Sequence, residues 1–208
     1  MSLAESTAKQ ISKLPLLSQT PEEWGRSALS DPIALLIDHA FLEKKAANNA
    51  MDMMTRWPTE WIPGWVDTMT VVARDEAAHL AQVTRLLTKR GGRLTRIHSN
   101  PYASELKLLI RKGESSETLD RLFVSALIEL RSCERFSILA RSSDDQELSA
   151  FYSALFTSEL GHYQVFLNLA NKIETLERVQ RRWSEMLVRE AEILSVQSPG
   201  PRIHSGLP

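Results

Sequence analysis

At 208 residues the chain can bury a hydrophobic core in one domain without disulfide or metal staples, so a single domain over residues 1–208 is expected. Hydrophobic residues at 43% and charged residues at 25% exclude a disordered chain. A formal net charge of −1 excludes a surface coated in positive charge, so any contact with nucleic acid needs a local basic patch.

The expected elements are all helices, because apolar residues recur at three- and four-residue steps while β-branched residues are scattered. TPEEW announces a short first helix, with Thr20 as cap, Pro21 at the first helical position and Glu23 completing a capping box. Asp31 and Pro32 repeat the start signal for a first long helix, which runs to about Met54 before RWPTEWIPGW breaks the pattern. Trp57, Trp61 and Trp65 of this connection are expected in the core, with stacking on bases as the alternative. A second long helix is expected from Trp65 to Arg90, stopped by Gly91 and Gly92, and RLTRIHSNPY then reads as loop. A smaller helix covers Ala103 to Lys112 and ends at Gly113. Ser115 or Ser116 caps a third long helix reaching Arg141. A fourth runs from the Asp144 and Asp145 pair to Lys172, and a last helix covers Thr175 to Val196. The core is expected over about residues 20–196, with 197–208 a poorly ordered tail. The lone cysteine, Cys133, rules out an internal disulfide and any cysteine-only zinc or iron–sulfur site. With no membrane-length apolar run and no signal-peptide stretch in MSLAESTAKQ, the expected location is the cytoplasm, with no membrane partner.

The four long helices form two locally similar pairs. FLEKKAANNAM lines up with LIELRSCERFS, placing Glu43 opposite Glu129, and DEAAHL lines up with SELGHY. Glu76 with His79, and Glu159 with His162, are three residues apart and so share a helix face. These residues interrupt apolar stripes: Phe151, Leu155, Glu159, His162, Phe166 in the fourth helix and Leu122, Ala126, Glu129, Cys133, Phe136 in the third. Glu43 stands likewise between Ala40 and Ala47. Four inward carboxylates without partners would cost several kcal/mol each, and no lysine or arginine shares their stripes. Two divalent cations would cancel the four charges. One glutamate from each of two helices and a Glu-x-x-His pair from each of the other two is the ligand set of dinuclear carboxylate bundles. Oxygen donors with two imidazoles suit iron or manganese, with iron preferred and zinc left open by the Irving–Williams order. One Glu-x-x-His is common by chance; the weight lies in two at matching core positions. In the third helix Glu134 competes with Glu129, but it lies off the stripe and suits pairing with Arg131 or Arg135. His39 and Cys133 lie beside the site as candidates to support the ligands, with a structural histidine and a small core residue as the plainer alternatives.

The runs DHAFLEKKAA, DEAAHLAQV, ALIELRSCERF and FYSALFTSELGHY together resemble the bacterial tRNA 2-methylthio-N6-isopentenyladenosine hydroxylases. This is a ferritin-like non-haem di-iron family, and the likeness spans about Pro32 to Ala170, with RSCERF its most specific piece. The resemblance implies an all-α, ferritin-like four-helix bundle with additional short helices and two Fe ions held by Glu43, Glu76, His79, Glu129, Glu159 and His162. It implies dioxygen as co-substrate, an external electron donor such as a reductase, and hydroxylation of the isopentenyl group on an adenosine in the tRNA anticodon loop. Leu160 and Gly161 depart from the family's Ala-Arg, so a positive charge near the site is missing. The RNA contact is expected from Arg85, Lys89, Arg90, Arg93, Arg96 and His98, whose plainer role is to face a helix C-terminal dipole. Competing readings are an iron store or peroxide-handling rubrerythrin-like bundle, a di-iron oxidase of another small substrate, and a metal-free bundle. Whether the chain is monomer or dimer stays open.

Overall fold

A computed structural model describes residues 13–58 and 60–207, apart from the side chains of Glu114 and Ser115. Among these residues every regular element is a helix: α1 (Glu22–Ala28), α2 (Pro32–Met53), α3 (Trp65–Lys89), α4 (Pro101–Leu108), α5 (Glu114–Ser142), α6 (Gln146–Ile173) and α7 (Leu176–Ser195). The starts follow local chemistry. Asp31 accepts from Ala34 N at 2.9 Å, Asn100 from Ala103 N at 3.1 Å, and Asp145 from Glu147 N and Leu148 N, each satisfying backbone donors that a first turn leaves open. Gly91 stands at φ 78° just past the end of α3, a left-handed conformation that suits glycine.

Three boundaries differ from expectation. Thr20 does not cap α1: its amide and hydroxyl both donate to the Glu134 carboxylate, at 2.8 and 2.7 Å, and Pro21 takes the cap position without a side-chain bond. The small helix α4 starts two residues early and stops at Leu108, because Asn100 and Pro101 form a start signal equivalent to Asp31 and Pro32. Helix α5 begins at Glu114 behind Gly113, which takes the cap position without a side-chain bond, so Ser115 and Ser116 lie inside the helix and neither is its cap.

The largest helix packings are α2 on α3 and α5 on α6, and α3 against α6 joins the pairs; α1 lies on α5, and α7 covers α4, α5 and α6. Each long helix crosses between two apolar clusters. One holds Ala50 and Met53 of α2, Met69 and Val72 of α3, Leu122 to Leu130 of α5, and Phe166 and Leu169 of α6. The other holds Leu36 and Ala40, Val83 and Leu87, Phe136 and Leu139, and Phe151 and Leu155. On α2, α3 and α6 the buried residues between the clusters include Glu43, Glu76 and His79, and Glu159 and His162, and Glu129 of α5 lies at the same level. Hydrophobic burial on both sides therefore holds a polar layer in the middle.

Residues 203–205 are buried, which corrects the expectation of a loose tail. Arg135 Nη1 donates to the carbonyls of Ile203 and Ser205 at 2.6 and 2.7 Å, its guanidinium stacks 4.3 Å over Trp24, and Ile203 N donates to Asp38 at 2.8 Å. A buried guanidinium needs acceptors, and the tail's backbone supplies them. Of the three tryptophans, Trp65 is fully buried and donates to Met53 O, whereas Trp57 and Trp61 are exposed and meet edge-on at 5.2 Å. None of the described helices is long and apolar enough to cross a membrane.

Candidate metal centre

The six residues singled out from the stripes meet in the polar layer. Ligand-type atoms of Glu43, Glu76, His79 and Glu159 lie within 4.8 Å of one another, and so do those of Glu76, Glu129, Glu159 and His162. Glu76 and Glu159 belong to both groups. All six residues are buried, none more than 7% exposed. Each helix contributes its share because a three-residue step keeps glutamate and histidine on one face, and that face lies between the two apolar clusters.

The contacts are those of converging ligands rather than of a finished hydrogen-bond network. His162 Nδ1 lies 2.6 Å from Glu76 Oε1, yet the two are not aligned as donor and acceptor, and neither has another partner. His79 Nδ1 lies 3.4 Å from Glu159, 3.6 Å from Glu43 and 3.8 Å from Glu76 without a hydrogen bond. Glu43 Oε2 and Glu159 Oε2 are likewise buried and unpartnered. Native interiors leave few such atoms, and each costs about 1–3 kcal/mol unless something satisfies it. Atoms from carboxylate and imidazole groups sharing one small space fit metal cations well.

Electrostatics point the same way. Burial, and then the charge of Glu159, push the Glu76 carboxyl up to about 8, and the same two causes raise Glu129 well above its ordinary value. Glu43 is raised by burial, against the pull of the nearby His79 imidazole. Burial would also raise Glu159, but His162, His79 and Glu129 close beside it hold it below the ordinary range. For the imidazoles burial opposes charge, yet the adjacent carboxylates of Glu159, Glu43 and Glu76 hold His79 up at about 12, and those of Glu159 and Glu76 hold His162 up at about 10. Without a metal the layer therefore neutralises itself with protons, which divalent cations can displace.

His39 touches the cluster: its Nε2–H donates to Glu43 Oε1 at 2.6 Å, and its ring packs among Phe136, Phe151 and Tyr152. Burial lowers its pKa to about 4, so it stays neutral while fixing one oxygen of Glu43 and leaving the other facing the layer. Cys133 belongs to neither ligand group. Its Sγ faces Phe156 O at 3.5 Å, and burial raises its pKa, so it remains a thiol. Glu134 is turned away, toward Thr20 and Arg131. Asp75, which the stripe pattern passes over, sits behind His162 with Oδ2 3.7 Å from Nε2; its position directly before Glu76 was the available signal. Gly161 faces open space.

The expected basic patch divides. Arg85, Arg93 and Arg96 are exposed. Lys89 and Arg90 are engaged with Glu147 and Asp145, and His98 is held by Asp38 at 2.7 Å, by Lys45 at 2.9 Å, and flat against Phe41 at 4.8 Å. Those three are committed to internal contacts, because acids distant in sequence lie within reach of them.

A four-helix bundle carrying one core glutamate on each of two helices, and glutamate with histidine three residues on from each of the other two, defines the ferritin-like carboxylate proteins. A solved structure described as Protein 43 with aldehyde deformylating oxygenase activity from Synechococcus matches with a TM-score of 0.85 at 36% identity, covering 92% of this chain and 96% of that one. Within this class the chain belongs to the tRNA-(MS2IO6A)-hydroxylase (MiaE) family, whose model matches residues 7–205. It is similar to the tRNA 2-(methylsulfanyl)-N(6)-isopentenyladenosine(37) hydroxylase of Pseudomonas putida, with 40% identity over 191 residues and 91% of each chain covered. It is also similar to the protein of that name in Salmonella typhimurium, with 32% identity over 173 residues, 82% of this chain and 62% of that one.

Proposed function

We propose that this chain is a di-iron, dioxygen-dependent hydroxylase of the isopentenyl group of 2-methylthio-N6-isopentenyladenosine in tRNA. The observation that carries it is the pair of overlapping buried ligand groups, in a chain of this family. Glu43 and His79 would hold one iron, Glu129 and His162 the other, with Glu76 and Glu159 common to both. Bound iron would supply the redox chemistry: dioxygen and two electrons from an external reductase, with two protons, convert a C–H bond to C–OH and release water. The chain's own share is placement and exclusion. His39 orients Glu43, and the apolar clusters above and below the layer keep bulk water from it. The substrate base comes from an unstacked anticodon loop, which can be inserted where a paired base could not. The exposed Arg93 and Arg96 are offered as phosphate contacts, and the reaction is placed in the cytoplasm with tRNA.

The test is nucleoside analysis of tRNA carrying the isopentenylated adenosine after incubation with iron-loaded protein, a reductant and isotopically heavy dioxygen. One heavy oxygen atom should appear in that nucleoside; an unchanged nucleoside profile would refute the proposal. The 36% identical structure described by aldehyde deformylating oxygenase activity favours a second reading, an oxygenase acting on an aliphatic aldehyde. Release of a one-carbon product from added aldehydes, with tRNA unchanged, would favour that reading instead.

A further inference from the structure

A narrow cleft between α2, α4 and α5 links the surface to the polar layer. Its walls are mainly apolar, with Leu42 and Ala46 of α2 and Val124 and Ile128 of α5, and it includes Glu129 among its lining residues. Lys45 and Lys107 line it as well, and both are exposed. Glu129 is thus both a member of a ligand group and part of the cleft, which makes the cleft a route to the site and not a surface dent.

We propose that this cleft admits the short aliphatic substituent of a nucleobase in an RNA loop, while Lys45 and Lys107 at its mouth hold the flanking phosphates. The proposal rests on the hydroxylase reading above and adds to it a route and two binding residues. Size supports it: the cavity of about 60 Å³ has room for roughly four water-sized groups, close to a branched five-carbon chain. The apolar walls suit a hydrocarbon, and Asn49, Asn100 and Ser125 add a few polar groups to the lining. Charge supports it too. Among the described residues no carboxylate forms an ion pair with either lysine, and Lys45, which feels the charge of Asp38, also feels the positive charges of Lys107 and Lys44, which an anion at the mouth would offset. Lys45 is also held in place. Its ammonium donates to His98 Nδ1 at 2.9 Å, His98 Nε2–H donates to Asp38 at 2.7 Å, and Asp38 accepts the amide of Ile203 in the docked tail. An anchored side chain loses less freedom when it binds a phosphate. The end of α3 is the weaker candidate, since Lys89 and Arg90 already face acids.

The test uses a dye-labelled anticodon stem-loop RNA containing isopentenylated adenosine and the full-length, iron-loaded protein. Lys45→Ala/Lys107→Ala should bind it at least about tenfold more weakly at low salt, and the dependence of log affinity on log salt should become shallower by about 1.4, the slope of two single-strand phosphate contacts. Arg181→Ala on α7 should bind as the unmodified protein does. Ala46→Leu, which narrows the cleft, should keep iron content and RNA affinity while slowing hydroxylation at least about tenfold. Unchanged affinity and salt slope in the lysine variant, or full-speed hydroxylation by Ala46→Leu, would overturn the route while leaving the hydroxylase reading intact. If the unmodified protein itself leaves the nucleoside unconverted, both fall together.

Discussion

Helix α5 carries two buried groups of charge, centred two residues apart on Glu129 and Arg131, and they are completed in opposite ways. Around Arg131 every charge has its counterpart. Its Nε and Nη2 donate to the two oxygens of Glu190 at 2.9 Å, Nη1 donates to Glu134 at 2.5 Å and to Ser18 O at 2.9 Å, Thr20 closes Glu134, and Tyr102 donates to Glu190. Around Glu129 there are four carboxylates and two imidazoles, their polar contacts are among themselves and with His39 and Asp75, and several facing atoms have no partner. A network satisfied by its own residues is a structural tie. One that is buried and left open is built around something the chain does not itself supply.

The same kind of truncation should therefore act differently in the two places. Removing a shared carboxylate with Glu76→Ala should cost at least about 100-fold in hydroxylation and lower the bound iron measured by elemental analysis. It should leave the metal-free protein as stable as before or more so in urea unfolding, since a carboxyl held up at about 8 by burial is relieved. Retention of both metal and activity would reduce this layer to a structural tie like its neighbour. Arg131→Ala should cost about 3–5 kcal/mol in the same unfolding experiment, because Glu134 and Glu190 stay buried without their cation. A loss below about 1 kcal/mol would show that the network is not closed as described.

A pH series sharpens the contrast with a smaller effect. In the metal-free protein Glu76 at about 8 and His162 at about 10 bind protons more tightly when folded than their ordinary values of 4.5 and 6.5 allow when unfolded. The folded state then holds more protons than the unfolded one above pH of about 5, so stability is greatest at the acid end and declines as pH rises toward 8. Denaturation midpoints measured at several pH values should show this decline without metal. Iron should flatten it, and calorimetry in two buffers should show protons released on metal uptake. The smallest expected effect is at Gly161, inside α6 and facing open space, where Gly161→Ala should stabilise the fold by about 0.5–1 kcal/mol in the same midpoints without changing iron content.

What could be read from the sequence divides along the same line. The helices, their order and the convergence of Glu43, Glu76, His79, Glu129, Glu159 and His162 follow from periodicity, because polar residues inside an apolar stripe must face what the stripe faces. Thr20, the docked tail and His98 escaped for one shared reason. Each is captured by a residue far along the chain, Glu134, Arg135 and Asp38 respectively, and local composition carries no sign of such a partner. The helix α4 start was legible, since Asn100 and Pro101 repeat the chemistry of Asp31 and Pro32. The commitment of Lys89 and Arg90 to acids of the α6 start was not, because a run of like charges does not show which acids the fold will bring to it.

The central claim is that the open layer around Glu129 is a cage for two metal ions. Elemental analysis of the purified chain, loaded anaerobically with ferrous iron and then desalted, tests it most directly. The account predicts two irons per chain in the unmodified protein and a loss of iron in Glu76→Ala and Glu159→Ala. A folded chain that retains no transition metal would contradict it.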